Sequence, residues 1–297
     1  MRRHISFLIV LASALACLAP SSGSAQSAAD GPVLGARYAT PSMAIRMYNQ
    51  AGPGRVRVIA WDRDSLLVRG HVPTSGQFFL GGGPEGVKLG IEARWSNSTP
   101  AAADFSVYVP RGSKVDIRTV SANIEGTGVS GSFNSVSGAI RLSGSAKSIE
   151  VESMNGNLDL NVETPWMRAR TGDGHLLLRG APQDVDAATI AGTLDIATQT
   201  VLRGQFSSVS GDIHYVGSPA SGGIFEFSNH SGAVDLLLPR DAAGTFALSS
   251  IVGQIENGFT NVRPAASTTH SMRLTLGRGG ANVTVRNFKG AIRLRPE

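Results

Sequence analysis

The pattern of this 297-residue sequence predicts an all-β fold: a β-solenoid of about nine short rungs, preceded by an irregular β cap region. Three observations carry that expectation. Glycine is abundant, at 36 residues, yet lacks the three-residue period of collagen. No stretch long enough for a helix has a helical period, whereas short alternating runs bounded by Gly, Asn and Ser recur throughout. From Val120 onward, a motif of the form apolar–polar–Gly–x–Ile/Leu returns at a nearly fixed interval.

The chain opens with an export signal. Arg2 and Arg3 precede an apolar run from Ile5 to Leu18, and Gly23 and Ala25 supply the small residues that signal peptidase requires. Residues 1–25 are therefore read as a signal peptide cut near Ala25. The apolar run is short for a membrane span, so no transmembrane helix is expected in the mature chain. The alternative of a lipoprotein anchored through Cys17 is weakened by the string Ala14-Leu15-Ala16, which puts Ala where a lipobox usually has Leu. The expected location is exported: periplasmic, outer-envelope or extracellular. Removing residues 1–25 takes away two arginines and no acid, so the net charge falls from +5 to +3. That mild excess contains no basic run, and no nucleic-acid partner is expected. The single cysteine also leaves with the signal, so no disulfide can hold the mature fold together.

Residues 26–110 alternate at Arg55 to Ala60, Leu66 to Gly70 and Phe105 to Val109, with Gly81 to Pro84 expected in a loop. A solenoid must cover its end rung against edge pairing, so this region is expected to be an N-terminal β cap.

Residues 111–297 carry the repeat domain. Taking the central small residue of each motif as a reference, the copies centre on Ala122, Gly138, Gly156, Gly174, Gly192, Gly211, Gly232, Gly253 and Gly290. The steps are 16, 18, 18, 18, 19, 21, 21 and 37, so rungs of 16–21 residues are expected, with a long loop or degenerate turn in residues 258–280. Two positions after the reference, every copy is aliphatic: Ile124, Ile140, Leu158, Leu176, Leu194, Ile213, Val234, Ile255 and Ile292. Two positions before it stand Val120, Val136, Met154, Ile190, Val209, Ile251 and Phe288. Even offsets share a strand face, so both columns are expected inside. A third apolar column lies five positions before, with Ile117, Phe133, Val151, Ala169, Phe206, Phe227, Leu248 and Val285. Its odd offset requires a corner. At that corner, three positions before the reference, stand Thr119, Ser135, Ser153, Thr171, Thr189, Ser208, Asn229, Ser250 and Asn287. All are types that hydrogen-bond local backbone at bends. The reference glycine is expected to face inward, where a missing Cβ lets two sheets approach or the strand bend.

Tyr48-Asn49, the run Trp61-Asp62-Arg63-Asp64, the run Val109-Pro110-Arg111-Gly112 and the serial Val-Ser-Gly-x-Ile turns together resemble the bacterial putative-adhesin family of unknown function, related to toast-rack-type domains, over about residues 44–293. The resemblance implies an exported, β-solenoid-like domain at the cell envelope. It brings no catalytic residues to transfer.

The acids three positions after the reference, Glu125, Asp159, Asp195, Asp235 and Glu256, are expected on the outer face. A pair of carboxylates from neighbouring rungs could do acid/base work on a polysaccharide. A lyase or hydrolase would need a groove joining Asp159 to Asp195, or Asp212 to Asp235. Arg141, Leu177, His214 and Arg293 interrupt the column and separate like charges that would otherwise stack ~4.8 Å apart. The plainer reading is a solvated, charge-managed face. Trp166 follows Pro165 at an expected turn and is a candidate for sugar stacking. The six histidines have no zinc-type spacing, no calcium nonapeptide occurs, and neither metal nor cofactor is expected. His214 lies near Asp212, Ser208 and Ser210, but serial serines are already demanded by the repeat. The expected function is therefore non-enzymatic: an adhesin or scaffold presenting a repetitive β face to envelope or extracellular protein or polysaccharide, with Trp166, Asp159, Asp195 and Asp235 as binding candidates.

Overall fold

The computed structural model describes residues 31–49, 52–83, 85–94, 102–198 and 201–297, so the expected signal peptide, residues 1–25 with Cys17, lies outside the described residues. These residues form 25 strands in one hydrogen-bonded sheet, and among them no helix is long and apolar enough to cross a membrane. The first seven strands are β1 (Val33–Tyr38), β2 (Ala44–Asn49), β3 (Gly54–Trp61), β4 (Ser65–His71), β5 (Gly76–Gly83), β6 (Gly86–Ala93) and β7 (Ala103–Pro110). The central twelve are β8 (Lys114–Thr119), β9 (Asn123–Thr127), β10 (Ser130–Ser135), β11 (Ile140–Ser145), β12 (Ile149–Ser153), β13 (Leu158–Thr171), β14 (Leu176–Thr189), β15 (Leu194–Ala197), β16 (Arg203–Ser208), β17 (Ile213–Val216), β18 (Ile224–Asn229) and β19 (Val234–Leu238). The last six are β20 (Gly244–Ser250), β21 (Ile255–Asn257), β22 (Ala266–Ser267), β23 (Ser271–Leu276), β24 (Ala281–Asn287) and β25 (Ile292–Pro296).

Equivalent strands of successive repeats pair in parallel and in the register that the sequence columns predict. Phe133 lies opposite Ile117 and Val151, and Ile140 lies opposite Ile124 and Leu158. Two ladders result. Ladder A runs through β8, β10, β12, β13, β14, β16 and β18, and ladder B through β9, β11, β13, β14, β15, β17 and β19. β13 and β14 are long enough to serve both. The aliphatic column after the reference is buried from Ile124 to Ile292, with Ile255 half-buried at the end of its ladder, and the column from Ile117 to Val285 is buried as well. Each fully buried Ile, Leu or Phe contributes roughly 1.5–3 kcal/mol, which makes these two columns the main source of cohesion.

The Ser/Thr/Asn corner is inside, and its side chains serve the backbone. Ser135 and Ser153 Oγ accept the N–H of Gly138 and Gly156 at 2.8 and 2.9 Å. Thr171 Oγ1, Asn229 Nδ2 and Asn287 Nδ2 donate to the reference carbonyls of the neighbouring repeat, Gly156, Gly211 and Gly232, at 3.1, 2.8 and 2.8 Å. The column thus ties several turns to themselves or to the next turn, whereas the buried Ser208 and Ser250 hydroxyls make no hydrogen bond among the described residues. Hydroxyl-to-hydroxyl pairing between repeats is the minor element, present where Thr119 Oγ1 donates to Ser135 Oγ at 3.0 Å.

Two expectations about this corner are corrected. The glycines do not bring two sheets together. A Cβ on Gly192 would lie 1.9 Å from the Gly174 carbonyl oxygen, and one on Gly211 would lie 1.9 Å from that of Gly192, so each missing side chain leaves room for the turn stacked beside it. The apolar column from Val120 to Phe288 is not inside either. Val120 is 47 % exposed, Met154 62 % and Ile251 64 %. The strand ends at the corner residue, and the following residue begins the turn with its side chain pointing out, which breaks the even-offset rule.

Both ends depart from simple sequence order. β2 and β3 pair in parallel with β8 and β9, so Asn49 sits opposite Thr119 and joins the corner column. This copy does not share the spacing of the sequence repeat, since Asn49 and Val56 are seven residues apart whereas Thr119 and Ile124 are five apart. Beyond it, β5 closes ladder A antiparallel to β6, while β4 and β1 close ladder B antiparallel to β7 and β4. Gly81 to Gly83, expected in a loop, form the end of β5. At the other end, β24 and β25 insert between the repeat of β18–β19 and that of β20–β21. Residues 258–280 are accordingly more than a loop, since β23 from this segment runs antiparallel along β20 and closes that edge.

Candidate functional site

The acidic column lies on the outer face of ladder B. In spatial order it reads Arg57, Glu125, Arg141, Asp159, Leu177, Asp195, His214, Asp235, Arg293, Glu256. Side chains alternate direction along each strand, so these residues point away from the core while the aliphatics beside them in sequence are buried. Charge alternates along most of the row. Asp235 and Glu256, consecutive acids in the sequence column, are separated in space by Arg293, which the C-terminal insertion delivers between them.

Each candidate carboxylate has a basic side chain beside it, an arginine at Asp159 and Asp235 and a histidine at Asp195. Arg179 meets Asp159 at 2.5 Å, His175 Nε2 meets Asp195 at 3.2 Å, and Arg293 and His214 meet Asp235 at 3.3 and 3.5 Å. Asp159 and Asp195 are separated by the Leu177 strand and do not face one another. Asp212 is turned to the backbone, accepting the Ala233 N–H at 2.7 Å, so it does not join Asp235 either. A depression on this part of the face, bounded by Glu125, Arg141, Asp159, Asn161 and Arg179, is open and holds about 340 Å³. Its two acids are paired to Arg57 and Arg179, with Arg141 between them.

The suggested grouping of His214 with Asp212 and Ser208 is not assembled: His214 pairs with Asp235, and Ser208 is a buried corner residue. A different histidine makes a polar row. His175 contacts Thr193 Oγ1 through Nδ1 and Asp195 through Nε2, and its own N–H donates to Asn157 Oδ1 at 2.9 Å. Three repeats contribute to this lateral ladder, which is why sequence proximity did not find it. Among the described residues, no group of three or more His, Cys, Asp or Glu is placed to hold a metal ion.

Trp166 is 41 % exposed, as expected, but not for the expected reason. It lies within the unbroken strand β13, at the bend where that strand passes from ladder B to ladder A, rather than at a turn. Thr164 Oγ1 marks the bend by donating to the Trp166 carbonyl at 3.0 Å. An exposed apolar row runs from Val120 through Val136, Met154, Ile190 and Val209 to Phe288 and Ile251. His230 completes it where Val or Ile is missing, its ring stacked on Phe288 at 4.8 Å. Gly172 leaves a notch of about 400 Å³ in this row, between Met154 and Ile190.

The fold and its outer surface thus define an all-β repeat protein with ion-paired faces and an apolar corner ridge. Two solved structures are similar to it. One is a putative adhesin from Bacteroides fragilis NCTC 9343, with a TM-score of 0.42, 10 % identity, and coverage of 88 % of this chain and 95 % of that one. The other is a putative cell adhesion protein from Clostridium sporogenes ATCC 15579, with a TM-score of 0.25, 8 % identity, and coverage of 89 % and 98 %. No family model and no curated protein matches the chain.

Proposed function

We propose that this chain is an exported, non-enzymatic protein of the cell envelope, a solenoid-like stack of short repeats that acts as an adhesin or scaffold and binds envelope or extracellular protein or polysaccharide along its outer faces. In this reading residues 1–25 direct export, and the antiparallel strands of the region before residue 110 cap one end of the stack. The observation that supports a binding role over catalysis is the state of the acids. Asp159 and Asp235 are taken up in ion pairs with arginines, Asp195 is in contact with His175, and none of the three has a second carboxylate across from it. A regular surface of paired charges suits many weak contacts with a repetitive partner.

The test is twofold. Purified protein is passed over a glycan array and used to retain envelope proteins, and it is incubated with envelope polysaccharides while new reducing ends or unsaturated sugars are followed. Retention without cleavage is expected. Cleavage at a rate abolished by Asp159→Asn or Asp195→Asn would falsify the proposal in favour of a polysaccharide lyase or hydrolase.

A further inference from the structure

Over most of both outer faces a cation stands beside an acid. The start of ladder A is different. There the register sets Lys88 beside Arg46, and Lys114 beside Ala44, two residues before Arg46 on the same strand. All three cations are exposed. Asp116, the neighbour of Arg46 on its other side, is taken by Arg118 at 3.2 Å. None of Arg46, Lys88 and Lys114 has an ion-pair partner among the described residues. Like charges on adjacent strands stand ~4.8 Å apart and repel, so this arrangement costs stability where the rest of the surface avoids the cost.

We propose that this face is a binding site for an acidic polysaccharide, whose carboxylates are held by Arg46, Lys88 and Lys114. The proposal rests on the binding role above and names its ligand class. Two open depressions of about 550 and 340 Å³ meet here and share Ala44 and Arg46. The small side chain of Ala44 keeps the floor between them low, so together they make a trough across β6, β2 and β8. Their size is that of ordinary small-ligand sites. Arg46 offers a forked pair of donors to a carboxylate, the lysines act as point charges, and Ser132 adds a hydroxyl at the far rim. Glu85 lines the near rim and disfavours a densely charged polyanion there. Nucleic acid is the poorer fit. The two rings on this face, Tyr48 and Phe79, lie under the Lys88 ammonium at 5.1 and 5.8 Å, which leaves no open ring for a base to stack on.

The purified protein is titrated with polygalacturonate, an uncharged glucan, duplex DNA and anionic phospholipid vesicles, at low and at high salt. Saturable binding to polygalacturonate is expected at low salt, weakening as salt rises, with no binding to the glucan. The R46E/K88E double variant should lose at least about tenfold in affinity while keeping its melting temperature, because both side chains are exposed. R46K should retain most of the binding. Binding that R46E/K88E leaves unchanged overturns this site. Absence of polygalacturonate binding, together with retention of another envelope ligand, overturns the ligand class while the adhesin or scaffold role stands. Retention of nothing overturns both. Equal affinity for DNA or vesicles, lost in the same variant, makes this a general anion site and overturns the polysaccharide assignment.

Discussion

Two columns that sit side by side in the sequence behave in opposite ways. The corner residues, from Thr119 to Asn287, are polar and buried, with Ser153 only 2 % exposed. Their immediate successors, Val120, Val136, Met154, Ile190, Val209, Ile251 and Phe288, are apolar and exposed. Hydropathy alone would place them the other way round. The difference is made by the backbone. Where a strand ends in a tight turn stacked on another turn, amide and carbonyl groups are taken out of water and must find partners, and a short polar side chain supplies them. The next residue has no core left to face. Burial at such a corner is thus decided by hydrogen-bond demand, and the apolar row is free for another use.

That contrast can be broken at several points. The largest effect is expected from Gly192→Ala, whose Cβ would stand 1.9 Å from the Gly174 carbonyl oxygen. Neither stacked turn can retreat without breaking its own ladder, so a loss of about 3 kcal/mol or more is expected in denaturant titrations, or failure to fold. Ala122 already carries a Cβ at the equivalent place, on the side where the preceding repeat has a longer turn, so Ala122→Gly should cost far less. Ser153→Ala comes next. It leaves the buried Gly156 N–H, now bonded at 2.9 Å, without its acceptor, for a loss of about 1–3 kcal/mol by the same measurement. Ile190→Ser, one residue beyond the equivalent corner position of its own repeat, should change stability by no more than ~0.5 kcal/mol despite replacing a large aliphatic. A large destabilisation there would mean that the ridge is covered in solution, and sedimentation would show by what.

The smallest effect lies outside both columns. The Arg111 guanidinium, bonded to Asp62 at 2.6 Å, holds the Asp62 carboxyl below its ordinary value. A lowered carboxylate stabilises the fold above the pKa of the unfolded chain, and that contribution is lost as pH falls through the folded value. Both side chains are exposed, so Asp62→Asn should alter the melting temperature slightly at neutral pH and not at all once the carboxylate of the native protein is protonated. It supplies a baseline for the corner variants.

Much of the site region was legible in the sequence. The aliphatic column fixed which side of each strand is inside, and that alone put Asp159, Asp195 and Asp235 on the outer face. Their interruption by Arg141, His214 and Arg293 already spoke for a managed surface. The sequence could not show which basic side chain each acid takes, because Arg179 and His175 reach their partners diagonally from adjacent repeats. The cationic trough was equally hidden, since Arg46, Lys88 and Lys114 are far apart along the chain and meet through out-of-order pairing at the N-terminal end.

By itself the sequence determined the strand period, the two buried columns and the polar corner, because each follows from local chain geometry and from one kind of side chain recurring at one offset. Tertiary structure alone decided the order of the repeats. Every copy offers the same inward columns and the same ladder edge, so any copy can pair with any other. Which copies become neighbours depends on the lengths of the connecting segments and on how the ends are closed. That freedom places β24–β25 ahead of β20–β21, sets Arg293 between Asp235 and Glu256, and brings Lys88 to Arg46.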